Sequence, residues 1–319
     1  MGSESEENIP CLVFSRDQLE EGSEEWKKMS KKVREVCENH GCFLFKFDEI
    51  PKVLTEDMFK CLQTLFNLPE ETKRKYISPT LFSSYASENP RKQPFSQTFG
   101  VDEAHLEDSA QAFTNLMWPQ GNQAFCETMK SMSSKMLELS ILIQKMILED
   151  YGLPKQYTSD FKDMSTSNLR LIKYKVPKSD DKGVENALGP HTDKSNLTII
   201  CSNEVQGLQA LTKTNKWIPL NIPKDCFAVF VGDLLKAWTN GRIHAATHRV
   251  TMSEDKERYS FGLFSLPKDG IKIEVPPELV DDKIHPLRYR PFTYGDYIQY
   301  FLSIDRKENT HALDLFAGV

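Results

Sequence analysis

From Leu169 to Leu266 the chain breaks into short apolar pieces, each cut off from the next by turn residues: LRLIKYKV, NLTIICS, GLQALTK, KWIPLNI, FAVFVGD, HRVTM and RYSFGLFSL. Pieces of this length are strands. Their spacing, with turn residues between them, predicts an antiparallel sandwich or barrel rather than a parallel α/β sheet. The first half differs. Ser23 is placed to cap a helix carrying Trp26, Met29, Val33, Val36 and Cys37 at helical spacing, with Gly41 as its stop. IPCLVFS before it and CFLFKF after it are strand-like, and Thr55 is placed to cap a further helix. Residues 77–122 show no clean period and are expected to be irregular loop. A long helix follows from about Gln123 to Tyr151, ended by Gly152 and Pro154.

The expected organisation is one continuous domain over residues 1–319. A helical N-terminal part covers about 1–165, a β core about 166–300 and a C-terminal segment about 301–319. Long irregular segments often cover a site, so 78–122 and 309–319 are candidate lids.

Composition narrows the class. With 319 residues and a net charge of −6, the chain carries no basic stripe of the kind nucleic acid requires. No apolar run reaches membrane-spanning length, and the polar opening MGSESEENIP resembles neither a signal nor a transit peptide. Gly2 would suit myristoylation, but Glu6 stands where that motif has Ser or Thr. The seven cysteines are scattered without a Cys-x-x-Cys pair, which fits a reducing cytoplasm. Neither nucleic acid nor a membrane is therefore expected as a partner, and the expectation is a small-molecule substrate handled by a monomer.

Chemistry concentrates in GPHTDKSNLTII. His191 and Asp193 stand two positions apart, which on a strand puts both side chains on one face. Such a pair could be a local hydrogen bond or two metal ligands. A third ligand is available in NGRIHAATHRV, as His244 or His248. Two histidines and a carboxylate leave part of an iron's coordination sphere open, as non-haem Fe(II) oxygenases require. Zinc is the chemical rival, although its hydrolases often use a helical His-Glu-x-x-His that this chain lacks. Beyond His248, Arg258 and Ser260 again share a strand face, and a buried guanidinium needs an anion.

In that order and spacing, His191-x-Asp193, His248 and Arg258-x-Ser260 resemble the plant 2-oxoglutarate- and Fe(II)-dependent oxygenase family. IPCLVFS, VREVCENHGCFLF, LRLIKY, GLQAL, the stretch from Trp217 to Val250 and YRPFTYGDYI extend the likeness over nearly the whole chain. Within the family the chain is most similar to the AOP-like group of specialised metabolism.

The resemblance implies a mainly β fold: a double-stranded β-helix (jelly-roll) core flanked by N-terminal helices and a long supporting helix. It implies that His191, Asp193 and His248 bind iron, with His248 preferred over His244 because Arg249 and Val250 follow it. Arg258 and Ser260 would hold the distal carboxylate of 2-oxoglutarate, with Tyr174 beside it. Ile172 stands where many relatives have an asparagine. The implied cofactor is Fe(II), with 2-oxoglutarate and dioxygen as co-substrates and ascorbate supporting activity. Succinate and carbon dioxide would leave as a substrate carbon is oxidised. Asp193 is present where related halogenases have a small residue, so hydroxylation or another oxidation is the default. By analogy the substrate pocket is expected to include Phe99, Met117, Trp118, Phe264 and Leu266, and to take a mid-sized, largely apolar metabolite or hormone. An Fe(II) oxidase that does not use 2-oxoglutarate, and a non-catalytic ligand-binding protein, are the alternatives on the same scaffold.

Overall fold

A computed structural model describes residues 8–14, 20–80, 82–87, 95–177, 187–252, 256–305 and 310–319. Strands and helices are labelled in chain order. The larger sheet runs β1 (Cys11–Phe14), β2 (Cys42–Phe47), β9 (Cys226–Val231), β6 (Leu197–Ser202), β11 (Arg258–Pro267), β4 (Ser165–Tyr174) and β3 (Ser96–Asp102). Only the β1–β2 pair in it is parallel. The smaller sheet runs β5 (Leu188–His191), β10 (His248–Val250), β7 (Leu208–Leu211) and β8 (Trp217–Pro219). A two-stranded ribbon, β12 (Lys272–Ile273) with β13 (Phe292–Thr293), lies apart. This is the expected jelly roll, and three strands of its larger sheet come from the N-terminal part.

Alternation along the strands divides the interior in two. On β9, Cys226, Ala228 and Phe230 belong to the core between the sheets, while Phe227, Val229 and Val231 belong to the core under the helices. On β2, Cys42 and Leu44 face the first and Phe43, Phe45 and Phe47 the second. Burial on both faces explains why β9 is apolar throughout and β2 is apolar except at Lys46.

The helices are α1 (Glu24–Asn39), α2 (Lys52–Phe66), α3 (Glu70–Lys73), α4 (Glu107–Met117), α5 (Gln123–Asp150), α6 (Lys155–Met164), α7 (Asp233–Trp238), α8 (Tyr294–Ser303) and α9 (Ala312–Ala317). Ser23 caps α1 as expected, accepting the Trp26 N–H at 3.1 Å. Gly41 ends it at φ +69°, where a Cβ would lie 2.3 Å from the His244 carbonyl oxygen. The long helix α5 packs its Met129, Met132, Met136, Leu139, Ile143 and Ile147 side into the helical core.

Two local expectations fail. Thr55 does not cap α2; the helix starts earlier, after Pro51, and Thr55 is buried within it. The segment 77–122 is not all loop, because it holds β3 and α4. In β3 the side chains toward the barrel are small or polar (Ser96, Thr98, Gly100, Asp102), so the usual strand signal is weak. In α4 the buried positions include Ala110 and Thr114, and no side chain caps its start, so its period is faint. Of the two candidate lids, residues 81, 88–94 and 309 lie outside the described residues. The last helix is docked, with Phe316 of α9 against Phe292, Tyr297 and Tyr300.

Candidate metal centre

β5 and β10 are antiparallel neighbours in the smaller sheet, and His191 is the register partner of His248. Asp193 follows two residues after His191, in the turn that leads to β6. One ligand atom from each of the three can be chosen so that all lie within 4.8 Å of one another. The Asp193 Oδ1 atom is 3.6 Å from His191 Nε2 and 3.7 Å from His248 Nε2. Its Oδ2 atom is buried with no hydrogen-bond partner.

The imidazoles are oriented from behind. His191 Nδ1 lies 2.9 Å from the Gly189 carbonyl oxygen and His248 Nδ1 lies 3.1 Å from that of Ala246. A carbonyl can only accept, so each Nδ1 carries the proton and each Nε2 presents a lone pair toward Asp193. Burial and the neighbouring His248 push the His191 pKa down to about 3, which keeps that ring neutral. Burial opposes ionisation of Asp193, but the two histidines, Thr198 and Arg170 outweigh it and hold its carboxyl below the usual range. Two imidazoles and one carboxylate with an orphaned buried oxygen form a donor set that fits Fe(II). His244 lies outside this group; burial and Lys213 push its pKa down to about 4.

The ligand turn is fastened to the start of α7. The Asp193 carbonyl accepts the Asp233 N–H at 2.8 Å, and that of Asn196 accepts the Gly232 N–H at 2.9 Å. The Asp233 Oδ2 atom receives Tyr297 at 2.6 Å and Thr192 at 3.0 Å, and pairs with Lys194 at 2.8 Å. None of this network was singled out from sequence. Its signal is faint, since Asp233 looks like an ordinary helix-start acid.

Across the barrel, Arg258 of β11 is paired in register with Tyr174 of β4, and Ser260 with Ile172. Arg258 is 2% exposed. Its guanidinium donates to Ser260 Oγ at 3.2 Å, lies 5.4 Å from the centre of the Tyr174 ring, and leaves Nε without a partner. Burial lowers its pKa, and no carboxylate among the described residues forms an ion pair with it. A buried cation satisfied only by one hydroxyl is a receptor for an anion.

The five expected pocket residues separate. Phe264 and Leu266 share the inward face of β11 with Arg258 and Ser260, and both are part-exposed. Phe99 is paired with Leu171 on the opposite face of its sheet and packs against Phe66, Tyr76, Tyr85 and Phe113. Met117 and Trp118 lie in the same helical core. All three are placed by core packing rather than at the metal site: Phe99 because odd positions of β3 turn toward the helices, Met117 and Trp118 because the end of α4 packs into the same core. One inward residue went unnoticed in the sequence: Arg170, two steps from Ile172 and four from Tyr174 on the same face of β4.

With this geometry in view, comparison with known proteins is specific. Residues 166–267 match the 2OG-Fe(II) oxygenase superfamily, and residues 9–121 match the non-haem dioxygenase in morphine synthesis N-terminal family. The chain is 37% identical over 296 residues to an Arabidopsis thaliana protein described as probable 2-oxoglutarate-dependent dioxygenase AOP1, covering 92% of this chain and 96% of that one. Among solved structures, the rice dioxygenase for auxin oxidation superposes with a TM-score of 0.83 at 29% identity, covering 97% of this chain and all of that chain. The Arabidopsis thaliana dioxygenase for auxin oxidation 1, in a 2-oxoglutarate binary complex, superposes with a TM-score of 0.78 at 26% identity, covering 88% of this chain and all of that chain.

Proposed function

The chain belongs to the 2OG-Fe(II) oxygenase superfamily and is a 2-oxoglutarate-dependent dioxygenase, and from that premise we propose that it hydroxylates a mid-sized, largely apolar plant metabolite or hormone. The observation that carries this reading is the pairing of an intact His191–Asp193–His248 ligand set with an unpaired, buried Arg258 at the inner wall of the same barrel. When bound, Fe(II) with 2-oxoglutarate supplies the oxidising power, dividing the two atoms of dioxygen between succinate and the substrate carbon and releasing carbon dioxide.

This chain's residues prepare that reaction. His191, His248 and the ionised Asp193 would hold the divalent ion, and together they supply only three of the donors it can take. Arg258 pairs with the far carboxylate of 2-oxoglutarate, and Ser260 adds a hydroxyl donor two positions along the strand. Tyr174 walls that end of the site and keeps the guanidinium over its ring. The carboxylate at Asp193 occupies the position that a halide would need, which supports oxygen insertion. Phe264 and Leu266 on the inward face of β11 supply apolar contact for a substrate.

The test is an activity screen. The purified chain, with Fe(II), 2-oxoglutarate and ascorbate, is given pooled plant metabolite extracts while succinate and product masses are followed. Substrate-dependent succinate together with a product one oxygen heavier is expected. Succinate production that no fraction stimulates, with no new product, refutes the proposal.

A further inference from the structure

Arg170 is a second cation in this barrel, and the clamp for 2-oxoglutarate does not employ it. It sits mid-strand on β4, on the inward face that also carries Tyr174. Among the described residues no acceptor takes a hydrogen bond from it and no carboxylate pairs with it, and its Nε is sealed from solvent without a partner. The residue as a whole keeps partial exposure.

Its register neighbours on both sides are glycines, Gly262 on β11 and Gly100 on β3. Neither flank can therefore offer an acceptor side chain. The nearby Asp102 carboxylate already accepts from Ser83 and Asn168 at 2.8 Å each.

What does touch the guanidinium is aromatic. Its central carbon lies 4.4 Å from the ring centre of Phe264 and 5.0 Å from that of Phe82. Phe82 is held there at a cost, since its φ is +67°, a left-handed conformation that a bulky residue rarely adopts. Gly100 makes the placement possible: a Cβ there would lie 2.2 Å from the Phe82 carbonyl oxygen. An aromatic face attracts a guanidinium's charge but accepts none of the N–H bonds in its plane. Those donors are still waiting for an oxygen anion.

Resting on the oxygenase reading above, we propose that Arg170 anchors the substrate, which is a monocarboxylate on an apolar frame: the carboxylate pairs with Arg170 and the frame lies against Phe82 and Phe264. One cation close to the Asp193 and Asp102 charges suits a single negative charge and not a polyanion. The planar fork of a guanidinium matches a carboxylate in particular.

The experiment uses the full chain loaded anaerobically with Fe(II) and 2-oxoglutarate. Calorimetry measures binding of two aryl-acid probes, phenylacetate and naphthylacetate, and of their neutral amides, to wild type, Arg170→Gln and Arg170→Lys. Wild type is expected to favour each acid over its amide by about tenfold or more, the value of a charge-assisted pair. Arg170→Gln removes that preference and Arg170→Lys restores part of it, while amide binding changes little. Equal binding of acid and amide to wild type, failure of both acids to bind, or a preference that survives in Arg170→Gln overturns the proposal. So does an Arg170→Gln variant whose lost affinity is for 2-oxoglutarate. Binding of Fe(II) and 2-oxoglutarate to wild type is read first; its failure would strike the oxygenase reading, whereas its success with no acid preference strikes only the assignment of Arg170.

Discussion

His248 lies directly opposite His191 in the antiparallel pairing of β10 with β5, and the two imidazole rings are centred 4.3 Å apart. Two of the three metal ligands are thus fixed by a strand pairing, and the third by a turn two residues further on. Strand register is set by the buried face, so a ligand pair built this way is pre-positioned before metal arrives.

Removal of any of the three ligands should therefore lower Fe(II) affinity without undoing the barrel. For His191→Ala, Asp193→Ala and His248→Ala the loss should exceed the roughly 10–100-fold typical of an outer-shell change. Anaerobic Fe(II) titration, with circular dichroism as the folding control, measures it. His244→Ala should bind Fe(II) like wild type, and the reverse order of effects would move the distal ligand to His244.

The co-substrate clamp makes a separable prediction. Arg258→Ala leaves the far carboxylate of 2-oxoglutarate without its charged partner, at a cost of about 1.5–3 kcal/mol. That corresponds to a Kd for 2-oxoglutarate raised by roughly 10- to 150-fold. Ser260→Ala, which removes one neutral hydroxyl, should raise it several-fold less. Titration of the Fe(II)-loaded protein with 2-oxoglutarate gives both values, and an Arg258→Ala variant with unchanged Kd would reassign the clamp.

How far the sequence carried these assignments depends on what each residue needs from its neighbours. His191, Asp193, His248, Arg258 and Ser260 stand out because alternation on a strand is local and their chemistry is unusual there. Phe99 misled because an aromatic residue looks the same on either face of a strand; only the pairing of β3 with β4 shows that odd positions face the helices. Arg170 was legible in principle, since it shares parity with Tyr174. Its meaning lay in the glycines on its two neighbouring strands, and strand neighbours separated by some 70 to 90 residues cannot be paired from one sequence. The Asp233 network was hidden for the same reason, because Thr192 and Lys194 of the ligand turn and Tyr297 of α8 converge on it from two separate parts of the chain.

That network should matter for stability. Asp233 and Lys194 form a pair whose side chains are 4% and 8% exposed. Asp233→Asn removes the carboxylate that pairs with the buried Lys194 ammonium, at about 3–5 kcal/mol. Combining it with Lys194→Met should return much of that loss, because the ammonium that Asp233 offsets is gone as well. Thermal melting of the two variants tests the coupling. Equal melting temperatures for the single and double variants would show that the charge pair is not what holds the ligand turn to α7.

The C-terminal helix offers a pH-dependent case. Asp314 of α9 accepts from the Tyr289 hydroxyl at 2.7 Å and from Lys236 of α7 at 3.2 Å. Burial alone would raise its carboxyl, but Tyr289 and Lys236 more than offset it and hold it below its ordinary value of 3.8. A carboxyl with a depressed folded pKa contributes stability that is present above the unfolded value and lost as pH falls through the folded one. Docking of α9 should therefore be insensitive to pH above about 5 and weaken below about 4. The side chain is 46% exposed, so the effect should be small, under about 1 kcal/mol. Hydrogen exchange at residues 312–317 across that range reads it directly. Asp314→Asn should show looser docking at neutral pH and no further acid-dependent loss from this group; an acid response identical to wild type would place the titrating group elsewhere.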